Sequence, residues 1–208
     1  MKSVLLSIRP NWCEKIFNGE KTMEVRKTAP NLETPFTVYV YQTKIKFKVK
    51  NWQENFQSIV FTPNGGVEEG NGKVIGSFVC DKHEVFDSAW SEWAYGCAPY
   101  DVPCAMPMSE ERAIKICKEY GCMSLDDIVK YFGDEDWTAH FWHITEPKLF
   151  DKPKMVTEFA VYGRCAQECS EYDICMKYDS EETRVECPDF AKAPLKRAPQ
   201  SWCYVEEI

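Results

Sequence analysis

Residues 19–27 read Gly-Glu-Lys-Thr-Met-Glu-Val-Arg-Lys, and three of these charged side chains stand at spacings that matter. If the segment is extended, its period of two sends Met23 and Val25 to one face and Thr22, Glu24 and Arg26 to the other. Lys21, at the corner where a helix hands over to the strand, comes within reach of Glu24. A carboxylate set between two cations, with a hydroxyl neighbour, can bind a polar planar ligand. Glu24 accepts from ring or exocyclic N–H groups, and Arg26 offers its rigid fork to carbonyl or phosphate oxygens. The plainer reading is a salt bridge on the surface of a strand, and spacing by itself leaves both standing.

The elements that must position this group follow from periodicity and punctuation. Ser3 to Ile8 predicts a strand; Pro10, the run Trp12, Cys13, Ile16 and Phe17, and Gly19 past its end predict a short helix. Further strands are expected at Thr22–Arg26, at Thr37–Tyr41, at Lys44–Lys50 with lysines on alternate positions, and at Lys73–Cys80. Ser109 opens a helix that runs to Gly121, and Ser124-Leu125-Asp126-Asp127 carries a capping-box signal for a second helix ending near Gly133. One aromatic-rich strand is expected over Trp137–Phe150, followed by Phe159–Tyr162 and, closing the sheet, Trp202–Val205. Strands outnumber helices, which predicts an α+β chain built as a small mixed β-barrel with inserted helices.

These blocks resemble the ASCH domain, a PUA-like β-barrel family. The likeness rests on Val4-Leu5-Leu6-Ser7-Ile8, the Trp-bearing helix, and Gly19-x-Lys21-x-x-Glu24-x-Arg26. It continues in Gly72-Lys73-Val74-Ile75-Gly76-Ser77-Phe78-Val79, in Phe141-Trp142-His143-Ile144, and in Ala198-Pro199-Gln200-Ser201-Trp202-Cys203-Tyr204-Val205. Together the blocks span nearly the whole chain, in order, as in larger phage and bacterial members. The resemblance implies a barrel cleft that takes RNA or a modified nucleobase. Small members reported to be amidohydrolases on acylated cytidine place a threonine nucleophile three residues after the lysine, where this chain has Glu24. Hydrolysis here would need Thr22 or another hydroxyl as nucleophile, with Lys21 as base and Glu24 beside it.

Other side chains are candidates for the same ligand. Ser7, Arg9 and Trp12 flank a helix N-terminus, where free backbone N–H groups favour an anion and an indole can stack on a base. Core packing for Trp12 is the equal alternative. The alternating lysines from Lys44 to Lys50 read as edge-strand protection. His143 is a cleft residue by the resemblance, whereas His83 and His140 have no comparable support.

Eleven cysteines, an odd number, argue against a full disulfide framework. Cys165, Cys169, Cys175 and Cys187 fall in an acidic stretch with few aliphatics, which cannot build a core alone. Four thiolates around a structural zinc would cross-link it, with Cys203 as a substitute ligand and an iron–sulfur cluster as second choice; unligated thiols or a mixed disulfide pair are the plain alternative. The expected organisation is a barrel over residues 1–163 with a helical insertion around 108–133, the Cys-rich segment at 164–190, and a C-terminal strand at 191–208 returning to the barrel.

Charge and composition bound the partners. The 208 residues carry a net charge of −8, yet residues 1–50 hold 10 basic and 4 acidic side chains. An acidic total argues against a long grip on duplex phosphates, while the basic first quarter suits a local anion site. The apolar run after Met1 stops at Arg9-Pro10, short of a signal peptide, and no stretch is long enough for a membrane span, so a cytoplasmic place and no membrane partner are expected. The sequence thus points to a binder of RNA or a modified nucleoside or nucleotide. A hydrolase, acting as an acylated-cytidine amidohydrolase or a ribonuclease, is the first rival, and an adaptor working through the acidic cysteine segment is the second.

Overall fold

A computed structural model describes residues 1–44, 59–61, 67–88, 108–133, 136–165 and 192–208. In chain order the elements are β1 (Lys2–Ile8), α1 (Pro10–Phe17), β2 (Met23–Arg26), β3 (Phe36–Gln42), β4 (Ile59–Phe61), β5 (Val67–Glu69), β6 (Val74–Cys80), β7 (His83–Asp87), α2 (Glu110–Glu119), α3 (Leu125–Phe132), β8 (Thr138–His143), β9 (Thr145–Lys154), β10 (Ala160–Cys165), β11 (Lys192–Pro194) and β12 (Trp202–Glu206). Strands dominate, with helices interspersed, and the class is α+β. Beyond Lys44, the predicted lysine strand lies outside the described residues.

Two compact units emerge, one of Met1–Pro10, Thr37–Ser77 and Leu149–Ile208, the other of Asn11–Phe36 and Phe78–Lys148. The first is organised by a seven-stranded sheet in the order β11-β10-β12-β1-β3-β6-β9. Among the described residues this order ends in two edges, and no closed barrel is drawn by the strand pairings. β1 lies mid-sheet, antiparallel to β12 with Val4 opposite Tyr204, and parallel to β3 with Val4 opposite Val38. An apolar run such as Val4-Leu5-Leu6 suits a strand covered on both faces, and all three residues are fully buried. Leu5, Tyr39, Tyr41, Val74, Phe159 and Val205 form the core of this unit.

The second unit is a three-stranded antiparallel sheet in the order β2-β8-β7, with α2 and α3 over one face. Val25, Phe86, Ala139 and Phe141 from the sheet meet Ala113, Ile116, Cys117 and Ile128 from the helices. Each large buried side chain of this kind contributes about 1.5–3 kcal/mol by leaving water. α2 presents Ala113, Ile116 and Cys117, an i, i+3, i+4 stripe, and Ser109 caps it by accepting from the Arg112 backbone N–H.

The expected Trp137–Phe150 strand is corrected to two strands in different sheets. The break falls at Ile144, whose N–H turns to the carbonyl of Thr22 at 2.9 Å, and Glu146 follows with a left-handed φ of 50°. Trading ladder partners at that point ends one strand and starts the next. β7, the short pair β4–β5 and β11 had no clear period-two signal in the sequence, whereas β10 overlaps the strand expected at Phe159–Tyr162.

The capping box at α3 forms as expected: the Asp127 N–H donates to the Ser124 hydroxyl at 3.1 Å, and the Ser124 N–H donates to the Asp127 carboxylate at 3.0 Å. Ser124→Ala should therefore cost about 1 kcal/mol, read as a lower urea midpoint with an unchanged slope.

Candidate functional site

Lys21 enters its place because the chain between α1 and β2 is pinned from three sides. Gly19, at a φ of 83°, ends the helix; the Lys21 N–H returns to the Lys15 carbonyl at 2.8 Å, and the Thr22 and Met23 N–H groups both donate to the Tyr120 carbonyl at 3.0 Å. The corner is thereby tied to the turn between α2 and α3. Nζ of Lys21 then donates to the Gly121 carbonyl at 2.8 Å. A side chain at Gly121 would run into the Cys117 carbonyl at 2.6 Å, so the glycine lets this turn close on the lysine.

The alternation along β2 holds as the sequence predicts. Val25 enters the core with Met23 against it, and Glu24 and Arg26 take the opposite face. Glu24 is 5% exposed and Lys21 3% exposed. One carboxylate oxygen of Glu24 accepts from Arg26 Nε at 2.7 Å, and the other lies 3.5 Å from Lys21 Nζ. Trp12, half-buried on α1, presents its ring 5.3 Å from the same ammonium. The predicted convergence of two cations on one acidic group therefore forms, as a buried cluster with an indole at its side.

Burial lowers the Lys21 pKa, and the pull of Glu24 offsets only part of that. Behind the cluster, burial and then the Glu24 charge push the Cys13 thiol well up. Tyr131 of α3 is a member that sequence reasoning missed. Its hydroxyl oxygen accepts from the Arg26 side chain, its pKa is raised chiefly by burial, and Lys27 Nζ sits 5.4 Å over its ring. An α-helical tyrosine more than 100 positions away gives no local signal.

The remaining candidates are placed differently. Ser7 is buried in the first unit, donating its hydroxyl to the Pro199 carbonyl at 2.6 Å, and Arg9 is exposed. His143 stands opposite Met23, on the core-facing side of the ladder by alternation, with Nδ1 2.7 Å from the Asp81 carboxylate. It does not join the Glu24 cluster. On the Glu24 side, the register instead sets Trp142 opposite Glu24 and His140 opposite Arg26, with His83 opposite Trp142 on the next strand. Thr22 is half-buried, its carbonyl taken by Ile144. Cys169, Cys175 and Cys187 lie outside the described residues, and Cys165 ends β10. Burial raises the Cys203 thiol pKa to about 11. Among the described residues no group of three metal-ligating side chains converges.

A recess of about 430 Å³ lies against α2 and α3, lined mainly by Ile114, Leu125, Ile128, Val129, Phe132 and Trp137. It shares no residue with the charged cluster, and Ser88, Glu110 and Asp136 supply the polar part of its lining.

No protein-family model matches the sequence, and no curated protein does. Solved structures do. The crystal structure of ASCH from Zymomonas mobilis is 13% identical, with 99% of this chain and 88% of that chain covered at a TM-score of 0.49. Two mutant forms of that protein are 12% and 13% identical, covering 100% and 99% of this chain and 92% and 89% of theirs, each at a TM-score of 0.48.

Among the described residues no helix is long and apolar enough to cross a membrane. The buried triad makes a stability prediction. Glu24→Ala leaves the Lys21 ammonium buried without its counter-charge and should cost about 3–5 kcal/mol in urea denaturation. In a double-mutant cycle with Lys21→Met, the combined loss should fall short of the sum by roughly 1–3 kcal/mol.

Proposed function

We propose that this protein binds a modified nucleobase, a nucleotide or a short single strand of RNA at the Lys21–Glu24–Arg26 cluster. The observation that carries the reading is the Glu24 carboxylate, buried yet held between Arg26 Nε at 2.7 Å and Lys21 Nζ at 3.5 Å, with the Trp12 ring 5.3 Å from the same ammonium. A carboxylate has about four lone-pair sites and two are engaged here, so acceptor capacity remains for the N–H edge of a base. Lys21 and Arg26 supply the charge that favours a phosphate or carbonyl oxygen, and Trp12 offers a face for stacking. The sequence blocks that resemble the ASCH domain imply the same ligand class and a cytoplasmic setting, and we adopt both as part of the proposal.

Hydrolysis is the rival with its own support. Burial shifts Lys21 toward its neutral amine, the form that acts as a base, and Thr22 is its chain neighbour. Fluorescence polarisation with short labelled RNAs and a nucleoside panel separates the readings when run beside an assay for turnover of acylated cytidine and of RNA. Binding that weakens at least tenfold in Arg26→Ala and Trp12→Ala, with no turnover, supports the binder. Turnover lost in Lys21→Ala moves the protein to the hydrolases, and unchanged affinity in correctly folded Arg26→Ala removes the proposed site.

We further propose that Cys165, Cys169, Cys175 and Cys187 hold a structural zinc, with an iron–sulfur cluster as second choice. Elemental analysis of protein purified without added metal should give one zinc per chain, falling on substitution of any of the four by serine. An adaptor role for the acidic segment would show instead as partner capture that those substitutions abolish, with no affinity for nucleosides or RNA.

A further inference from the structure

The face of β2-β8-β7 that carries Glu24 and Arg26 extends to a second titratable group. His83 Nε2 on β7 and His140 Nδ1 on β8 stand 3.0 Å apart, with the rings 11° from parallel. The ladder sets Arg26 directly opposite His140, so cation, imidazole and imidazole follow one another across three strands. Both rings are half-buried and within reach of solvent.

Only one proton fits between the two facing nitrogens. In the neutral pair one ring donates to the other, and of the two outer nitrogens, His83 Nδ1 and His140 Nε2, one is an N–H and the other a bare lone pair. One further proton, the third on the pair, turns both outer positions into donors and places a positive charge beside Arg26. The pair is thus a weak partner for an oxyanion when neutral and a strong one when protonated.

We propose that the His83–His140 pair, with Arg26 beside it, is a proton-gated oxyanion site that takes the phosphate of a nucleotide whose base lies at Glu24. This rests on the nucleobase reading above and narrows it from nucleosides to their phosphate esters. Binding adds no covalent step: the anion docks on the outer N–H groups, and the pair takes one proton from water.

The charges facing the pair set its sign. Arg26 and Glu24 approach from β2, with Tyr131 of α3 on Arg26. On β7, Asp87 raises the His140 affinity for a proton. Across the sheet, Glu84 is engaged by Lys82 and Arg112. Burial nevertheless lowers both imidazoles, and His140 lowers His83 further. The empty pair is therefore neutral at neutral pH. Below the ordinary imidazole value of 6.5 the unfolded chain takes protons more readily than the folded one, so stability falls as pH falls. A bound anion reverses this by favouring the protonated pair, and by reciprocity protonation tightens the anion.

The test uses the full chain, imidazole NMR, and sulfate as probe, because its charge is constant over the range. Sulfate should raise the apparent pKa of the His83 and His140 resonances, and its affinity should rise about tenfold from pH 7.5 to pH 5.5, the limit being tenfold per pH unit for one proton. His83→Asn and His140→Asn should flatten that dependence while leaving residual binding to Arg26. If either variant fails to fold, the sulfate-induced pKa change in the native protein decides alone. Sulfate affinity that ignores pH, or imidazole resonances that ignore sulfate, overturn the proposal. A nucleoside and its 5′-monophosphate, compared in the same titration, separate the two readings. Nucleoside binding without the phosphate effect sinks this inference alone, whereas a sulfate response without any nucleoside binding leaves an anion site and sinks the nucleobase reading.

Discussion

The Glu24 carboxylate, held out of water between Lys21 and Arg26, is the interaction on which the second unit depends. Three charges at a nearly dry position are stable only together: each cation alone would be driven to lose its charge or its place, and the carboxylate alone would be unsupported. That requirement fixes the corner after α1, because Lys21 reaches Glu24 only if the chain returns to the Lys15 and Tyr120 carbonyls. It also fixes the turn after α2, because the lysine's other partner is the Gly121 carbonyl.

The small sheet then has two unlike faces. Val25, Phe141 and Phe86 pack under the helices, while Glu24, Arg26, His140 and His83 line the other side. A three-stranded sheet is marginal without such a cover, so the helical layer is what holds the reverse face in place, where the fully buried Trp142 stands between Glu24 and His83. Tyr131 links the two, since it belongs to the covering helix and yet bonds Arg26 on the polar side. Charge, ring and hydroxyl are held by strands and a helix rather than by loops, which favours a fixed geometry over an adaptable one.

Much of this was legible. The period of two in Met23-Glu24-Val25-Arg26, the capping box at Ser124 and the glycine ends of α1 and α3 are local rules, and local rules act through the nearest few residues. The seam at Ile144 was not, because an aromatic run reads as one strand until its backbone partners are known. His143 was favoured over His140 by the resemblance alone, and only the ladder register, which sets His140 opposite Arg26 and His143 opposite Met23, says which face each takes.

What the sequence alone determined was the content of β2: which side chains carry charge, which are apolar, and that the two kinds point apart. What only the tertiary structure decided was the company they keep. Pairing β2 with β8 and β8 with β7 brought His140 and His83 beside Arg26 from 114 and 57 positions away, and docking α3 and the turn before it added Tyr131 and Gly121. The physical reason is that strand order and register are set by the burial of a whole face at once, a property no short window of residues contains.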